Sequence, residues 1–235
     1  MSNPRRSSTR AAAPGSRPGG VWGLLACLLI AVSPLAAASD WEPVYEGDNL
    51  RILRRDYAGS ELDEIQGVVR VKASLGALMA LLKDAPFNRN WVYRSGGARV
   101  LQESGYAQAH VYGVVDAPLP LSDRDSVVRF DYQQDPATRD ITITITNVPD
   151  FVPPEPNLVR VPDIGGHWAL KPQADGWVEV TYQVHGDPGG WIPVWLANQA
   201  AQVSVKNTLQ NLVSVVGRYE GARSEFVQEP DNPTN

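Results

Sequence analysis

The chain has 235 residues, 43% hydrophobic and 20% charged, with 20 Gly, 19 Pro and a single Cys. That globular composition excludes a collagen-like, coiled-coil or wholly disordered chain. The net charge of −5 is unevenly divided: residues 1–38 hold Arg5, Arg6, Arg10 and Arg17 and no acid, so the remainder carries 17 basic against 26 acidic side chains, or −9. Such a balance argues against nucleic-acid binding through phosphates, which needs clustered Lys and Arg, and against strong electrostatic docking on an anionic membrane.

The first forty residues run from a basic, Ser- and Pro-rich stretch into the apolar run Val21–Val32 and on to Ala36-Ala37-Ala38. This is the order of a secretory signal peptide. A run of about 12 residues is too short to span ~30 Å of hydrocarbon as a helix. Cleavage after Ala38 is expected, giving an exported protein, periplasmic or secreted. Leu24-Leu25-Ala26-Cys27 loosely resembles a lipoprotein box, but the apolar run continues past Cys27. Arg5-Arg6 is a weak twin-arginine signal, because nothing apolar follows it directly. Removing residues 1–38 also removes the only Cys, and with it any disulfide, thiolate nucleophile or Cys-ligated metal.

The mature chain reads as one domain over residues 39–226, followed by a flexible polar tail over 227–235. Candidate strands begin with Leu50–Tyr57. Next, Ile65, Gly67, Val69 and Val71 share one strand face. Ser74 is a candidate N-cap for a helix over Leu75–Lys83, whose Leu75, Leu78, Met79 and Leu82 recur at i, i+3, i+4 and i+7. Ala98–Glu103, Ala107–Val115 and Ser126–Tyr132 follow as strands. Ile141–Thr146 alternates strictly, with three Ile on one face and three Thr on the other. Five prolines between 149 and 162 forbid a regular central strand and define an ordered loop, either a lid tipped by Phe151 or a plain connection. Leu158–Val161, Trp168–Lys171 and Val178–His185 complete the strands, with breaks at Gln134–Pro136 and Pro172–Gly176. A helix of about 40 Å spans Ile192 to Tyr219, Pro193 sitting in its first turn. Its stripe is Val205, Leu209, Leu212, Val216 and Tyr219. The class is α+β: an antiparallel sheet gripping a long C-terminal helix.

Little in this pattern supports catalysis. His110, His167 and His185 stand 57 and 18 residues apart, without metal-ligand spacing. No Gly-x-Ser-x-Gly elbow, Ser-x-x-Lys motif or phosphate-cradling loop occurs in the mature chain. Asp123-Arg124-Asp125 reads as an ion pair fixing a turn. The row Tyr106, Gln108, His110 and Tyr112 lies opposite Ala107, Ala109, Val111 and Gly113, and either face suits the interior.

Three segments together resemble the START (StAR-related lipid-transfer) domain family of the helix-grip superfamily. They are Leu119–Arg129, with its Pro and Arg-Asp before an apolar strand; Gly165–Pro172 with the hairpin to Val178–His185; and Asp187–Pro193 with Trp195–Gln199. The resemblance covers about residues 41–220. It implies a curved antiparallel sheet wrapped around the C-terminal helix, with an internal apolar cavity for one lipid or other hydrophobic molecule. Arg129 either fills the basic role of the buried acid–base pair found in sterol-binding members, or lies outward beside Asp131. The ligand-contacting residues expected from these readings are His110, Tyr112, Arg129, Phe151, Trp168, Trp195 and Asn198. Asn198, seven residues before Val205, places an amide among apolar groups; unpaired it would cost roughly 1–3 kcal/mol, so it bonds either to protein or to a ligand. No cofactor or metal is expected, membrane contact is transient at most, and a monomer is expected. The leading reading is a non-enzymatic lipid carrier; the alternatives are a cyclase, aromatase or hydrolase on the same scaffold, and an interaction module with a filled core.

Overall fold

A computed structural model describes residues 41–47 and 49–230. The signal-like segment, its boundary at Ala38, and Cys27 lie outside those residues. The strands are β1 (Glu42–Glu46), β2 (Leu50–Arg55), β3 (Glu64–Lys72), β4 (Ser95–Ser104), β5 (Gln108–Val115), β6 (Arg124–Gln134), β7 (Ile141–Asn147), β8 (Val159–Arg160), β9 (Asp163–Pro172) and β10 (Trp177–Asp187). They form one ten-stranded sheet in the order β1-β2-β3-β10-β9-β7-β6-β5-β4, with the short β8 paired in parallel to β6. Every other pairing is antiparallel. The sheet is open, with β1 and β4 as its edges. β1 has no counterpart among the expected strands; Pro43 and the exposed Glu42 and Glu46 suit an edge, where an unpaired N–H position tolerates proline.

Helix α1 (Leu75–Lys83) begins as its sequence predicts: the Ser74 hydroxyl accepts the Ala77 N–H at 3.1 Å. A second cap comes from the far end of the chain. The Glu229 carboxylate accepts the N–H of Leu75 at 3.0 Å and of Gly76 at 2.7 Å, occupying two of the donors a helix start leaves free. Gln228 meanwhile exchanges hydrogen bonds with Gln134. Within the tail expected over 227–235, Gln228 and Glu229 thus hydrogen-bond to the body of the domain; its residues 231–235 lie outside the described residues.

Helix α2 (Val194–Val215) continues as a 3₁₀ turn through Tyr219 and buries Val205, Leu209, Leu212 and Val216 of the expected stripe, while Tyr219 is half-buried. It packs principally on β2 and β3. Gly67 makes that contact possible: a Cβ there would collide with the Leu209 and Val205 side chains. Gly67 belongs to a row across six strands, Ile52, Gly67, Tyr182, Trp168, Ile143 and Tyr132, that spans the face turned toward α2. We call this the inward face. On one side of the row, α1 fills the space with the buried Leu75, Leu78, Met79 and Leu81.

Two stability outcomes follow. Gly67→Val should overpack the helix–sheet contact and cost about 1–3 kcal/mol of unfolding free energy, read by denaturant melts. Glu229→Ala should cost about 1 kcal/mol by removing the second cap of α1, with little change in the denaturant slope.

Candidate ligand-binding site

On the other side of that row the inward face is less well covered. From the row outward come Ile65, Val184, Gly166, Ile145, Phe130 and Ala109; then Asn147, Val128 and Val111; then Ser126 and Gly113. Val111, Phe130, Ile164, Tyr182 and Val184 are only partly buried although they border the core. The principal contacts of α2 are with β2 and β3, toward one edge of the sheet, while these apolar side chains belong to the strands from β10 to β5. Glycine and serine add room: the nearest atom to a Cβ on Gly113 is the Ser126 Oγ at 3.8 Å.

The floor of this space is aromatic. Trp168 stacks on Tyr182 at 4.0 Å, and Trp91 meets Trp168 edge-on at 6.2 Å. Burial alone raises the Tyr182 phenol to about 12, so it remains a neutral hydroxyl. The buried Trp91 Nε1–H has no hydrogen-bond partner. Helix α2 holds the Trp91 segment in place: Asn211 Nδ2 donates to the Trp91 carbonyl at 2.9 Å, and the Tyr93 N–H donates to Thr208 Oγ1 at 3.1 Å. Of the expected residues, Trp168 therefore lies on the inward face. Tyr182, Phe130 and Val111, which line the space with it, had only their strand phase to mark them.

His110, Tyr112 and Arg129 lie on the opposite face, which corrects their expected place in a cavity wall. Ala109 pairs with Phe130 and Val111 with Val128, and strand alternation then turns His110, Tyr112 and Arg129 outward. Arg129 pairs with Asp131 at 2.8 Å there, so it is no buried acid–base group of the interior. Burial opposes ionisation of Asp131, but hydrogen bonds from Gln108 and Arg129 outweigh it and keep that carboxyl below its usual range. Phe151 is likewise not a lid over the inward space. The proline-rich segment folds back over the outward face, where Phe151 stacks on His110 at 4.2 Å.

That strap is held by Arg160. Its guanidinium makes a bidentate pair with Asp125 at 3.0 and 2.9 Å and donates to the carbonyls of Pro149, Val152 and Pro153. The Asp125 side chain is fully buried and that of Arg160 only 11% exposed. Burial opposes ionisation of Asp125, yet the hydrogen bond and charge of Arg160 outweigh it and hold the carboxyl below its ordinary value.

Arg124 points the other way. It is the one charged side chain at the inward positions of β3, β5, β6, β7, β9 and β10. Rather than pairing with Asp123 or Asp125, it donates to the Ser122 carbonyl and reaches those of Pro188 and Gly189 at 3.4 Å each. Asp123 Oδ1 accepts the Ala117 N–H at 2.8 Å instead. The turn is thus fixed by carbonyls and an amide, not by the ion pair its sequence suggests. Arg124 joins residues 116–122 to the segment before α2, at the end of the space away from the aromatic floor. Close by, a crevice of about 240 Å³ runs between Ser60, Leu62, Pro188, Ile192, Val194 and Ala197. Asn198 spans the same junction, its Oδ1 accepting the Asp63 N–H at 3.0 Å, so its amide oxygen is satisfied by protein. Trp195, expected in the ligand wall, projects into solvent on the first turn of α2.

Among the described residues no cluster of His, Cys, Asp and Glu is placed to hold a metal ion, and no helix is long and apolar enough to cross a membrane. On the outward face an open groove of about 660 Å³ runs over Arg51, Gln66, Thr142, His167, Lys171 and Thr181. Its lining is mainly polar, and burial lowers the His167 pKa.

An open antiparallel sheet gripping a long C-terminal helix defines the helix-grip class of fold. The chain belongs to the START domain family, whose domain matches residues 36–221. A STAR-related lipid transfer protein from Xanthomonas axonopodis, crystallised as a fragment, is 35% identical, with a TM-score of 0.71 over 76% of this chain and 99% of that one. An uncharacterised Pseudomonas aeruginosa protein is 33% identical over 81% of this chain and 94% of its own. The phosphatidylcholine transfer protein of Rattus norvegicus is 26% identical over 79% of this chain and 88% of its own.

Arg160→Leu should release the strap and leave the Asp125 carboxylate buried without a partner, costing about 3 kcal/mol. The sign of the pH dependence is fixed by the lowered carboxyl. The pair's contribution is fully present above the ordinary value of 3.8 and is lost as pH falls through the lower folded value. The gap between parent and variant should therefore hold near neutral pH, narrow as pH falls into the acid range through 3.8, and stop changing below the lower folded value, as followed by unfolding titrations across pH.

Proposed function

We propose that this chain binds one lipid or other hydrophobic molecule between α2 and the inward face of the sheet, and carries it outside the cytoplasm. The observation that carries the reading is the partly exposed apolar surface of Val111, Phe130, Ile164, Tyr182 and Val184 on the inward face, away from the principal contacts of α2 on β2 and β3. Apolar walls with a few placed polar groups are the usual make-up of a small-molecule site. Here the available polar groups are the Trp91 indole N–H at the floor and Ser126 Oγ on the wall. The lipid-transfer relatives support the same reading, and the signal-like first 38 residues support an exported protein. Binding is favoured over catalysis because the inward positions of β3, β5, β6, β7, β9 and β10 carry no Asp, Glu, His or Lys that could move a proton.

Native mass spectrometry of the purified protein should show one co-purified lipid per chain. Gly113→Phe, which places a ring in the open space beside Ser126, should keep the melting temperature and lower that occupancy several-fold. A protein that purifies empty and takes up no lipid from vesicles would overturn the reading.

A further inference from the structure

The inward face beyond the principal contacts of α2 is lined by groups that are almost all uncharged, and the few charges near it are taken. Helix α1 carries one, Lys83, at its last residue, with the ammonium 4.7 Å over the Tyr132 ring. Helix α2 also carries one, Lys206, which lies 3.7 Å over the Tyr45 ring of β1. Arg54 of β2 is held between Glu42 and Asp63. Glu103 of β4 shares the phase of Ala109 but stands exposed on the edge of the sheet.

Arg124 remains, at the end away from the aromatic floor. Its Nε and both terminal nitrogens donate to main-chain carbonyls. The loops it joins, residues 116–123 and 187–193, bring Asp116, Asp123 and Asp187 and no Lys or Arg. An anionic group placed there would meet like charge on both loops.

The polar groups of the wall itself are neutral, and two of them lack partners. Trp91 is 3% exposed, and its Nε1–H has no acceptor. Its ring meets Trp168, on the inward face, edge-on. Asn147, also inward, donates through Nδ2 to the Pro162 carbonyl at 2.7 Å, while its buried Oδ1 accepts nothing. Burial raises the phenols of Tyr132 and Tyr182, so both stay uncharged. An orphaned buried donor favours a ligand that brings an acceptor. A phosphate or carboxylate buried there would lose its water and gain no cation in exchange, a far larger cost.

We propose that the lipid held against this face is uncharged, a neutral ester, glyceride or alcohol whose oxygen accepts the Trp91 indole N–H, and that phospholipids and fatty-acid anions are refused. The proposal rests on the carrier reading and narrows it to one class of ligand.

The test uses lipids that share their chains and differ in the head. Protein stripped of co-purified lipid is incubated at about pH 8, where free carboxylates are ionised, with methyl oleate against oleate, and with dioleoylglycerol against dioleoylphosphatidylcholine. Native mass spectrometry counts the bound lipid. Methyl oleate and dioleoylglycerol should each load to one per chain and outcompete the charged counterpart at least about a hundredfold. Trp91→Phe keeps an aromatic ring and removes the donor. It should weaken methyl oleate about five- to tenfold and leave the matching hydrocarbon, heptadecene, unchanged, a split that loosened packing alone would not produce. Preferential loading of oleate or of the phosphatidylcholine overturns the proposal and leaves the carrier. An equal effect of Trp91→Phe on ester and hydrocarbon overturns the role given to the indole N–H. A protein that keeps its melting temperature after stripping and stays empty with all four lipids overturns the carrier reading itself.

Discussion

The seat of α2 on β3 governs the rest of the molecule. Gly67 lets Leu209 and Val205 approach the sheet where any side chain would keep them away. That contact fixes the helix over β2 and β3, toward one edge of a sheet whose remaining strands extend well beyond it. The principal contacts of this 22-residue helix do not extend to β5 and β6. Burial of apolar surface favours closing such a space, but the hydrogen-bonded ladders leave the sheet little freedom to collapse. The partial exposure of Val111, Phe130, Tyr182 and Val184 is consistent with where the helix is anchored. Gly113 differs from Gly67: one lets a helix in close, while at the other an added Cβ would meet only the Ser126 Oγ, at 3.8 Å.

Much of this was legible because the inward residues alternate cleanly. Ile141, Ile143 and Ile145 have one possible buried side, and Ser74 followed by a periodic apolar run fixes the start of α1. The stripe of α2 was equally plain. β5 was not. Its two faces, Gln108-His110-Tyr112 and Ala109-Val111-Gly113, differ little in polarity, and both end up partly covered, one by the interior and the other by the proline-rich strap. Tyr112 is buried on the outward face, so burial as well as phase misleads there. What decides it is pairing with β6, a long-range fact that no local pattern contains. The contacts of Gln228 and Glu229 were hidden for a related reason: both are polar, and their partners lie far away in sequence, on the β6–β7 hairpin and at the start of α1.

Arg124 and Asp125 show how one peptide unit serves both faces. Successive side chains of a strand point to opposite sides. Arg124 turns inward to gather carbonyls from two loops, while Asp125 turns outward to receive Arg160 and fix the strap. The two are not interchangeable. A guanidinium offers five donors and can satisfy several main-chain carbonyls at once, whereas a buried carboxylate needs donors of its own and finds them in the fork of a second arginine. The sequence Asp123-Arg124-Asp125 resembles a local ion pair only while the strand is ignored. Once β6 forms, the alternation drives the opposite charges apart and each takes a partner from another segment.

The same residue also settles where charge can reside along the inward face. Moving from the aromatic floor toward Arg124, the wall is apolar or carries only Ser126 and Asn147, and the first full charge appears where the loops meet solvent. Isolated charge in the apolar part would carry a large desolvation cost without a partner in reach. Arg124 avoids it by sitting at the boundary, sheathed by carbonyls that neutralise none of its charge but supply its hydrogen bonds. Its fork binds the loop bearing Leu119 and the segment bearing Trp191 to one group, so two segments far apart in sequence are tied together by the charge that the rest of the inward face excludes.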